Sequence, residues 1–349
     1  MTELDRTDAA DGADRADRYR LDALGVPATL AAYEVAMGAL NGPLSSLPSA
    51  PGRAPAGRAG KILLIGMGSS RFAALAAASF LRGRGLSVDV ELASTSHPTP
   101  PTPALTVVVI SNSGATPECV AAVERHRGRS ALVIALTNRP DSPLAGAADA
   151  VIPLLGAAER GGVACRSYVA TVASLLLLAD RSTSGSPGSG LVPPAVSLAL
   201  SAAEDLVDRM AHWQGRAADL LDRADQLHVL GDAARFGSVE QAALVFREGP
   251  RLAAVPFDAG DWLHVGQYTA LPGFRAILFS GTDYDGEVAR VVGERGGELV
   301  AIGRPVDGAA LGIGHRAADR MPATVMVETL VSDLIAAELW RRADASERR

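Results

Sequence analysis

The sequence predicts an α/β protein in which two doubly wound parallel sheets follow one another along the chain. Short apolar runs that end in glycine, serine or asparagine alternate with helix-length segments, as in parallel sheets. These runs are nearly continuous rather than alternating, which is typical of strands buried on both faces. The same order of elements begins again after a Ser/Pro/Gly-rich stretch at 184–194, which indicates an internal duplication.

Each half of the chain supplies its own strands and helices. The predicted strands of the first half are KILLIGMG, SVDVELAS, TVVVISNSG, ALVIALTN and DAVIPLL, and its helices begin near Ser69, Thr116 and Val163, the last ending near Leu178. The predicted strands of the second half are QLHVLGDAA, LAAVPF, AILFSGTD and ELVAIG, with helices SVEQAALVFREG and PATVMVETLVSDLIAAELWRR.

These elements divide the chain into segments with different expected roles. Residues 1–20 are predicted to be a disordered tail, because Asp, Arg, Ala and Gly alternate there without an apolar period. The other predicted segments are N-terminal helices and a Pro/Ala/Gly-rich linker at 21–56, a first domain at 57–183, a linker and helix at 184–222, a second domain at 223–342 and a tail at 343–349.

Composition excludes several classes of protein. The chain has 349 residues, of which 48% are hydrophobic and 21% charged, as in globular proteins with a large core. The net charge of −6 argues against a nucleic-acid partner. No run approaches the roughly 20 apolar residues of a membrane span, and the N-terminus lacks the apolar segment of a secretory signal. With two cysteines and scattered histidines, we expect a cytoplasmic protein with no disulfide scaffold, metal or cofactor.

Two hydroxyl-rich loops are the first indication of a ligand. Ser111, Ser113 and Thr116 follow the apolar run TVVVI, and Ser70 follows the run that ends in IGMG. Ligands of parallel sheets bind beyond the carboxyl ends of the strands, where helix N-termini favour anions. The two loops together predict a phosphate site. The alternatives are simple helix capping and a dinucleotide site, but GMGSSR lacks the third glycine of GxGxxG and Glu91 is not clearly placed to hold a ribose.

The motifs SNSGATPE and GMGSS resemble those of the sugar isomerase (SIS) domain. Two such domains in tandem are similar to the isomerase half of glutamine–fructose-6-phosphate aminotransferase, over residues from about 22 to 341. The segments VELAS, ERGGVACRSY and REGPRLAAVPFDAGDWLHVG carry the rest of the resemblance. No part of the chain resembles the glutaminase domain of that enzyme, so we do not expect it to hydrolyse glutamine by itself.

The resemblance implies a set of site residues. The sugar phosphate would be bound by Ser70, Ser111, Asn112, Ser113 and Thr116. In this family the second copy does not bind phosphate, which agrees with the few hydroxyls in LGDAARFG and FSGTDYDG.

The resemblance also implies three catalytic residues. Glu248 and His264 are sixteen residues apart, as are the proton-transferring glutamate and the ring-opening histidine of the family. His264 would reach the site of the neighbouring subunit, and Glu159 would be a further acidic site residue. Without the resemblance, Glu248 would be interpreted as a solvated helix end and His264 as a packed histidine.

Several positions depart from the family pattern. Val245 replaces a lysine, and His264-Val265-Gly266 replaces His-Gly-Pro. The C-terminal lysine that forms an imine in the family is absent, and Lys61 is the only lysine in the chain. Because arginine is too basic to form a Schiff base, an imine mechanism is not expected. Enolisation by Glu248 would not need a lysine.

The sequence therefore predicts an enzyme that acts on a hexose 6-phosphate or an amino-sugar 6-phosphate. The reaction would be aldose–ketose isomerisation, or amination or deamination at C2, in a homodimer that could receive its amine from a separate donor or partner protein. Two alternatives stay open. One is a non-catalytic phosphosugar-binding or regulatory SIS protein, and the other is an enzyme of specialised metabolism with a divergent sugar-like substrate.

Overall fold

The computed structural model describes residues 15–45, 61–184, 190–222 and 224–347. The chain forms two compact units. The first-sheet unit comprises Ala28–Ala157 and Ser167–Ser197, and the second-sheet unit comprises Met1–Pro27, Ala158–Arg166 and Leu198–Arg349. None of the described helices is both long and apolar enough to cross a membrane.

The first-sheet unit is built on a five-stranded parallel sheet of order β2-β1-β3-β4-β5. All five strands lie where the sequence predicts them, and the apolar runs of β1, β3 and β4 are buried almost throughout. The strands are β1 (Lys61–Gly66), β2 (Ser87–Leu92), β3 (Leu105–Ile110), β4 (Leu132–Thr137) and β5 (Ala150–Pro153). The helices are α2 (Val26–Ser45), α3 (Gly68–Gly83), α4 (Pro117–His126), α5 (Pro143–Ala147) and α6 (Arg166–Ser184).

The second-sheet unit repeats this plan. Its parallel sheet has the order β7-β6-β8-β9-β10, which matches the first sheet strand for strand and confirms the predicted fold class. The strands are β6 (Gln226–Gly231), β7 (Ala254–Asp258), β8 (Phe274–Phe279), β9 (Glu298–Gly303) and β10 (Leu311–Gly314). The helices are α1 (15–24), α8 (Met210–Leu221), α9 (Phe236–Glu248), α10 (Ala259–His264), α11 (Asp285–Glu294) and α12 (Glu328–Glu347), and α7 (Val192–Asp208) begins in the first unit and ends in the second.

The two cores differ in composition. The first is made of small aliphatic side chains such as Leu63, Val107 and Val133. The second contains the large rings of Trp262 and Phe274. The central strands of both sheets are buried at nearly every position, which requires continuous apolar runs and makes these strands predictable from the sequence.

The N-terminal helix begins earlier than predicted. The tail predicted at 1–20 is wrong for residues 15–20, which form the first part of α1, and residues 1–14 lie outside the described range. Tertiary contacts explain this difference: Tyr19 is fully buried, with its ring 5.9 Å from that of Trp340, and the guanidinium of Arg15 lies 5.5 Å from the same indole.

Other boundaries also differ from the sequence-based prediction. The helix α6 begins at Arg166 and continues to Ser184 instead of ending near Leu178, and α12 begins at Glu328 and continues into the tail predicted at 343–349. The strand β10 was missed, because LGIG alternates buried and exposed residues and has no apolar run. Most of the linker predicted before β1 lies outside the described residues.

Candidate functional site

The Ser-rich loops lie at the topological switch point of the first sheet. The strands β1 and β3 are neighbours, with Ile65 level with Val109, and the chain leaves β1 toward β2 on one side and β3 toward β4 on the other. Ligands of open α/β sheets bind in the crevice that forms at such a point, beyond the carboxyl ends of the strands.

The hydroxyls of Ser111 and Thr116 meet beyond the end of β3. They lie 2.9 Å apart, with Ser111 buried and Thr116 half-buried. Thr116 precedes α4, yet its side chain makes no capping hydrogen bond to this helix. The hydroxyl of Ser113 is exposed and accepts a hydrogen bond from the backbone N–H of Ala115 at 3.3 Å. Capping therefore does not account for Thr116.

The backbone of this loop is packed tightly against the next loop. Gly114 has φ +63°, and a Cβ at this position would overlap the side chain of Ser142. The backbone oxygen of Gly114 also accepts a hydrogen bond from the N–H of Leu144 at 3.0 Å. Only glycine fits at this position.

Asn112 joins the loops that follow β3 and β4. Its side-chain oxygen accepts a hydrogen bond from the amide of Asn138 at 2.5 Å, and its backbone oxygen accepts from Thr137 Oγ1 at 3.3 Å. Its own amide nitrogen remains a donor on the half-buried side chain.

Ser70 lies in the first turn of α3, beyond the end of β1. It is half-buried, and its backbone N–H donates to the oxygen of Met67 at 3.1 Å. A Cβ on Gly66 would lie 3.1 Å from that of Ser70, so the serine stacks directly on the strand end. The structure thus brings Ser111 and Thr116 together and puts Ser70 just beyond the end of the neighbouring strand β1, at the same switch point.

Glu91, the residue that could hold the ribose of a dinucleotide, is hydrogen-bonded to Thr99 instead. One carboxylate oxygen of Glu91 accepts hydrogen bonds from the N–H and the hydroxyl of Thr99, both at 2.7 Å. This engagement gives no support to a dinucleotide site.

Glu159, in the second-sheet unit, belongs to a buried ionic cluster. Its carboxylate accepts hydrogen bonds from Cys165 N at 3.0 Å and from Cys165 Sγ at 3.5 Å, and it lies 3.7 Å from the guanidinium of Arg166. Arg166 is also paired with Asp22 of α1 and donates to the backbone oxygen of Ala158. These contacts fix the segment from 158 to 166 against the N-terminal helix.

Asp333 adds a carboxyl group that the sequence did not single out. The pKa of Asp333 is raised to about 8, mainly by burial; the hydrogen bond from Tyr19 opposes the rise and the charge of Glu159 adds to it. Burial also raises the pKa of the Cys165 thiol well above its ordinary value, so this cysteine is a poor nucleophile. An aspartate within the apolar run VSDLIAA was the available signal.

Glu248 and His264 each end a helix and are exposed. Glu248 is the last residue of α9. Partial desolvation by the surrounding protein raises the pKa of its carboxyl group above the ordinary value, and the charges of Arg247 and Arg15 oppose this rise. His264 is the last residue of α10, whose first turn is capped by Asp258. No hydrogen bond or ion pair joins Glu248 and His264 in the described part of the chain.

The positions of Val245 and Lys61 show whether a lysine is available near the Ser-rich loops to form an imine with a substrate. Val245 is fully buried in α9. Lys61 is the first residue of β1, so it lies at the end of the sheet opposite the Ser-rich loops. Its ammonium group is paired with Asp89. Among the described residues, no group of three or more His, Cys, Asp and Glu side chains could hold a metal ion.

Comparisons of the sequence with known proteins identify the first domain. The SIS domain family model matches residues 58–181. The chain is 29% identical over 240 residues to a glutamine–fructose-6-phosphate aminotransferase of Aeropyrum pernix. The aligned region covers 64% of this chain and 38% of that protein. The chain is 34% identical over 119 residues to a 3-hexulose-6-phosphate isomerase of Mycobacterium gastri, which covers 32% of this chain and 57% of that protein. The chain therefore spans less than two thirds of either relative.

Solved structures share the whole fold. The C-terminal domain of glucosamine-fructose-6-phosphate aminotransferase from Francisella tularensis matches with a TM-score of 0.75 and 13% identity, over 94% of this chain and 96% of that one. A tagatose-6-phosphate ketose/aldose isomerase from Escherichia coli matches with a TM-score of 0.70 and 18% identity, over 93% and 91%. Residues 58–181 thus match the SIS domain family, and the chain resembles the isomerase part of glutamine–fructose-6-phosphate aminotransferase.

Proposed function

We propose that this protein is an enzyme that binds a hexose 6-phosphate or an amino-sugar 6-phosphate. The single observation that carries the proposal is the pair of hydroxyls on Ser111 and Thr116 at the switch point, with Ser70 just beyond the end of the neighbouring strand β1. Three of the similar proteins are named for fructose-6-phosphate, 3-hexulose-6-phosphate and tagatose-6-phosphate, which supports this substrate class.

Binding of the phosphate would rely on neutral donors. The hydroxyls of Ser70, Ser111, Ser113 and Thr116 and the side-chain amide of Asn112 would donate to the phosphate oxygens. The N-termini of α3 and α4 would add backbone N–H groups and the positive end of each helix dipole. The absence of side-chain capping at α4 supports this arrangement, because the donors are left for a ligand.

Glu248 is the proposed base for the chemical step. In an aldose–ketose isomerisation it would take the proton from C2 of the open-chain sugar and return it to C1. A pKa above the ordinary glutamate value suits a group that must both accept and release a proton near neutral pH. His264 would assist ring opening as an acid/base, and the buried contacts of Glu159 favour a positioning role for this residue.

Amination or deamination at C2 is the second reaction within the same proposal. The lone Lys61, paired with Asp89 at the opposite sheet edge, does not support an imine on this chain. The amine would therefore be free ammonia or would come from a partner protein.

We also propose a homodimer, in the cytoplasm, in which His264 reaches the neighbouring subunit. The apolar residues that follow it support an interface, since Val265 is 55%, Tyr268 70% and Leu271 65% exposed. A non-catalytic phosphosugar sensor is the second candidate function. The buried Val245, at a position where the family has a lysine, favours that candidate.

Thermal unfolding of the purified protein with a panel of hexose and hexosamine 6-phosphates, and with their unphosphorylated parents, tests phosphosugar binding. A ligand at 100 times its dissociation constant adds about 2.7 kcal/mol of stability. We expect stabilisation by at least one phosphorylated sugar, which Ser113→Ala weakens and Ser87→Ala, at the opposite sheet edge, does not. Absence of any shift with the phosphorylated sugars would overturn the proposal.

A further inference from the structure

A cavity of about 230 Å³ lies at the switch point of the second sheet, beyond the ends of β6 and β8. It occupies in the second-sheet unit the topological position that the Ser-rich loops occupy in the first. Its lining includes Asp232, Arg235, Gly281, Asp319 and Thr324. Such a position is where an open α/β sheet binds a ligand.

The loop that follows β8 does not offer donors to a phosphate. The carboxylate of Asp285 accepts hydrogen bonds from Gly281 N at 2.6 Å, from Thr282 N at 3.2 Å and from Thr282 Oγ1 at 2.8 Å. Ser280, which corresponds to Ser111 in the order of elements, uses its hydroxyl on backbone atoms of Ile302 and Arg304. A carboxylate of the protein itself thus fills the anion position of this loop.

The charge that remains at the cavity is negative. The guanidinium of Arg235 is compensated by Glu328 at 2.7 Å and donates also to the backbone oxygens of Phe279 and Ser280. Asp319 is paired with the exposed Arg304. The carboxylate of Asp232 accepts a hydrogen bond from the N–H of Ala234 and forms no ion pair among the described residues. Asp232 is therefore an uncompensated carboxylate in the cavity wall.

Asp319, the second carboxylate in the cavity wall, is held in place by close packing. Gly281 has φ +110°, and a Cβ there would overlap Oδ1 of Asp319. The neighbouring Thr324 accepts a hydrogen bond from Arg320 N at 3.1 Å and donates to the backbone oxygen of Ala317. The cavity thus presents carboxylate acceptors on a fixed wall, which suits a ligand rich in hydrogen-bond donors.

We propose that this cavity binds a small polyhydroxylated amine, of which an unphosphorylated amino sugar is the simplest example. The ammonium group would pair with Asp232, and ring hydroxyls would donate to Asp319. The volume is just below the roughly 300 Å³ at which small-molecule pockets begin, which limits the ligand to about one sugar ring. This site is separate from the hydroxyl-rich loops and does not depend on the proposed function.

Titration calorimetry with glucosamine, N-acetylglucosamine and glucose, each up to about 10 mM, tests the proposal. We expect glucosamine to bind, and the two sugars without an ammonium group to bind at least about tenfold more weakly, because hydrogen bonds to charged groups are the stronger ones. Absence of glucosamine binding, or equal binding of all three sugars, would overturn the proposal.

Two variants locate the site. Asp232→Asn keeps the cap on Ala234 and should fold normally, but should weaken glucosamine binding about tenfold or more. Asp319→Asn should also weaken it, and asparagine tolerates the φ of +57° at this position. Asp283→Asn removes the same charge from an exposed position outside the cavity and should change nothing. If Asp232→Asn binds glucosamine as well as the unmodified protein does, the site is elsewhere. Ser113→Ala should leave glucosamine binding intact whether or not it affects sugar phosphates.

Discussion

The hydroxyl of Tyr19 donates a hydrogen bond of 2.8 Å to Oδ1 of Asp333, and both side chains are buried. The two residues are 314 positions apart, so this bond ties the N-terminal helix to the last helix of the chain. It lies beside the ionic cluster of Asp22, Glu159 and Arg166, so a buried polar region joins the two ends of the chain.

Removal of the Asp333 charge should change how stability depends on pH. The folded-state pKa of about 8 exceeds the roughly 3.9 of an unfolded aspartate, so between these values the folded state binds a proton that the unfolded state does not. Stability should therefore fall as pH rises through this window, by a few kcal/mol in all. Asp333→Asn should remove that fall in denaturant titrations from pH 5 to 9, and the exposed Asp283→Asn should retain it. An unchanged slope in Asp333→Asn would contradict the raised pKa.

Loss of the Arg166 guanidinium should be strongly destabilising. Its side chain is 8% exposed and that of Asp22 only 1%, so Arg166→Met would leave buried carboxylates without their partner. Breaking such a pair costs about 3–5 kcal/mol. Urea unfolding should show this loss, whereas Arg290→Met, which breaks exposed pairs on α11, should have little effect. Equal effects of the two variants would mean that the buried pair contributes no more than a surface pair.

His228 should contribute to acid lability. Its Nδ1 accepts a hydrogen bond from Trp262 Nε1 at 2.9 Å, and burial lowers its pKa to about 4. Between pH 4 and the ordinary 6.5, the unfolded state is protonated and the folded state is not, so stability should fall as pH falls. His228→Asn should flatten this dependence of stability on pH, and the control His212→Asn, at an exposed position, should not. Unfolding monitored by tryptophan fluorescence at several pH values measures the change. His315, also with a pKa of about 4, should preserve part of the effect.

Removal of one hydroxyl from the switch point should weaken binding of the sugar phosphate. Thr116→Val keeps the shape of the side chain but removes the partner of Ser111, and should lower the affinity about tenfold. Calorimetry with the phosphosugar that stabilises the protein measures this change. Thr102→Val, an exposed threonine before β3, serves as the control. If Thr116→Val binds as tightly as the unmodified protein, Thr116 does not contact the phosphate.

Glu248→Gln should separate catalysis from binding. If Glu248 is the base, the variant should lose about 10²–10⁴ in kcat while its affinity for the sugar phosphate stays within a few-fold. Glu287→Gln, an exposed glutamate on α11, should keep full activity. Binding without turnover in the unmodified protein would favour the sensor, and full turnover in Glu248→Gln would remove this residue from the mechanism.

The fold could be predicted because its strands are encoded locally. Runs such as LTVVVI and LVIALT are buried at every position, and this burial requires an apolar sequence. Where burial depends on distant contacts, prediction failed. The start of α1 is stabilised by Tyr19 against Trp340 and Asp333, and nothing near Tyr19 in the sequence indicates these partners.

The candidate site divides in the same way. The location of Ser70, Ser111 and Thr116 could be predicted, because the carboxyl ends of neighbouring parallel strands lie at the same end of a sheet. The burial of Glu159 among Cys165 and Arg166 could not, since it also depends on Asp22, more than a hundred residues away.

By itself, the sequence determined the two sheets, their duplicated order and the hydroxyls at the first switch point, because apolar period and loop chemistry are local properties of the chain. Only the tertiary structure decided that Asp333 is buried beside Tyr19 and that Asp285 fills the anion position of the second sheet. The physical reason is that desolvation and charge compensation depend on which side chains surround a group in the folded protein, and residues far apart in the chain supply many of them.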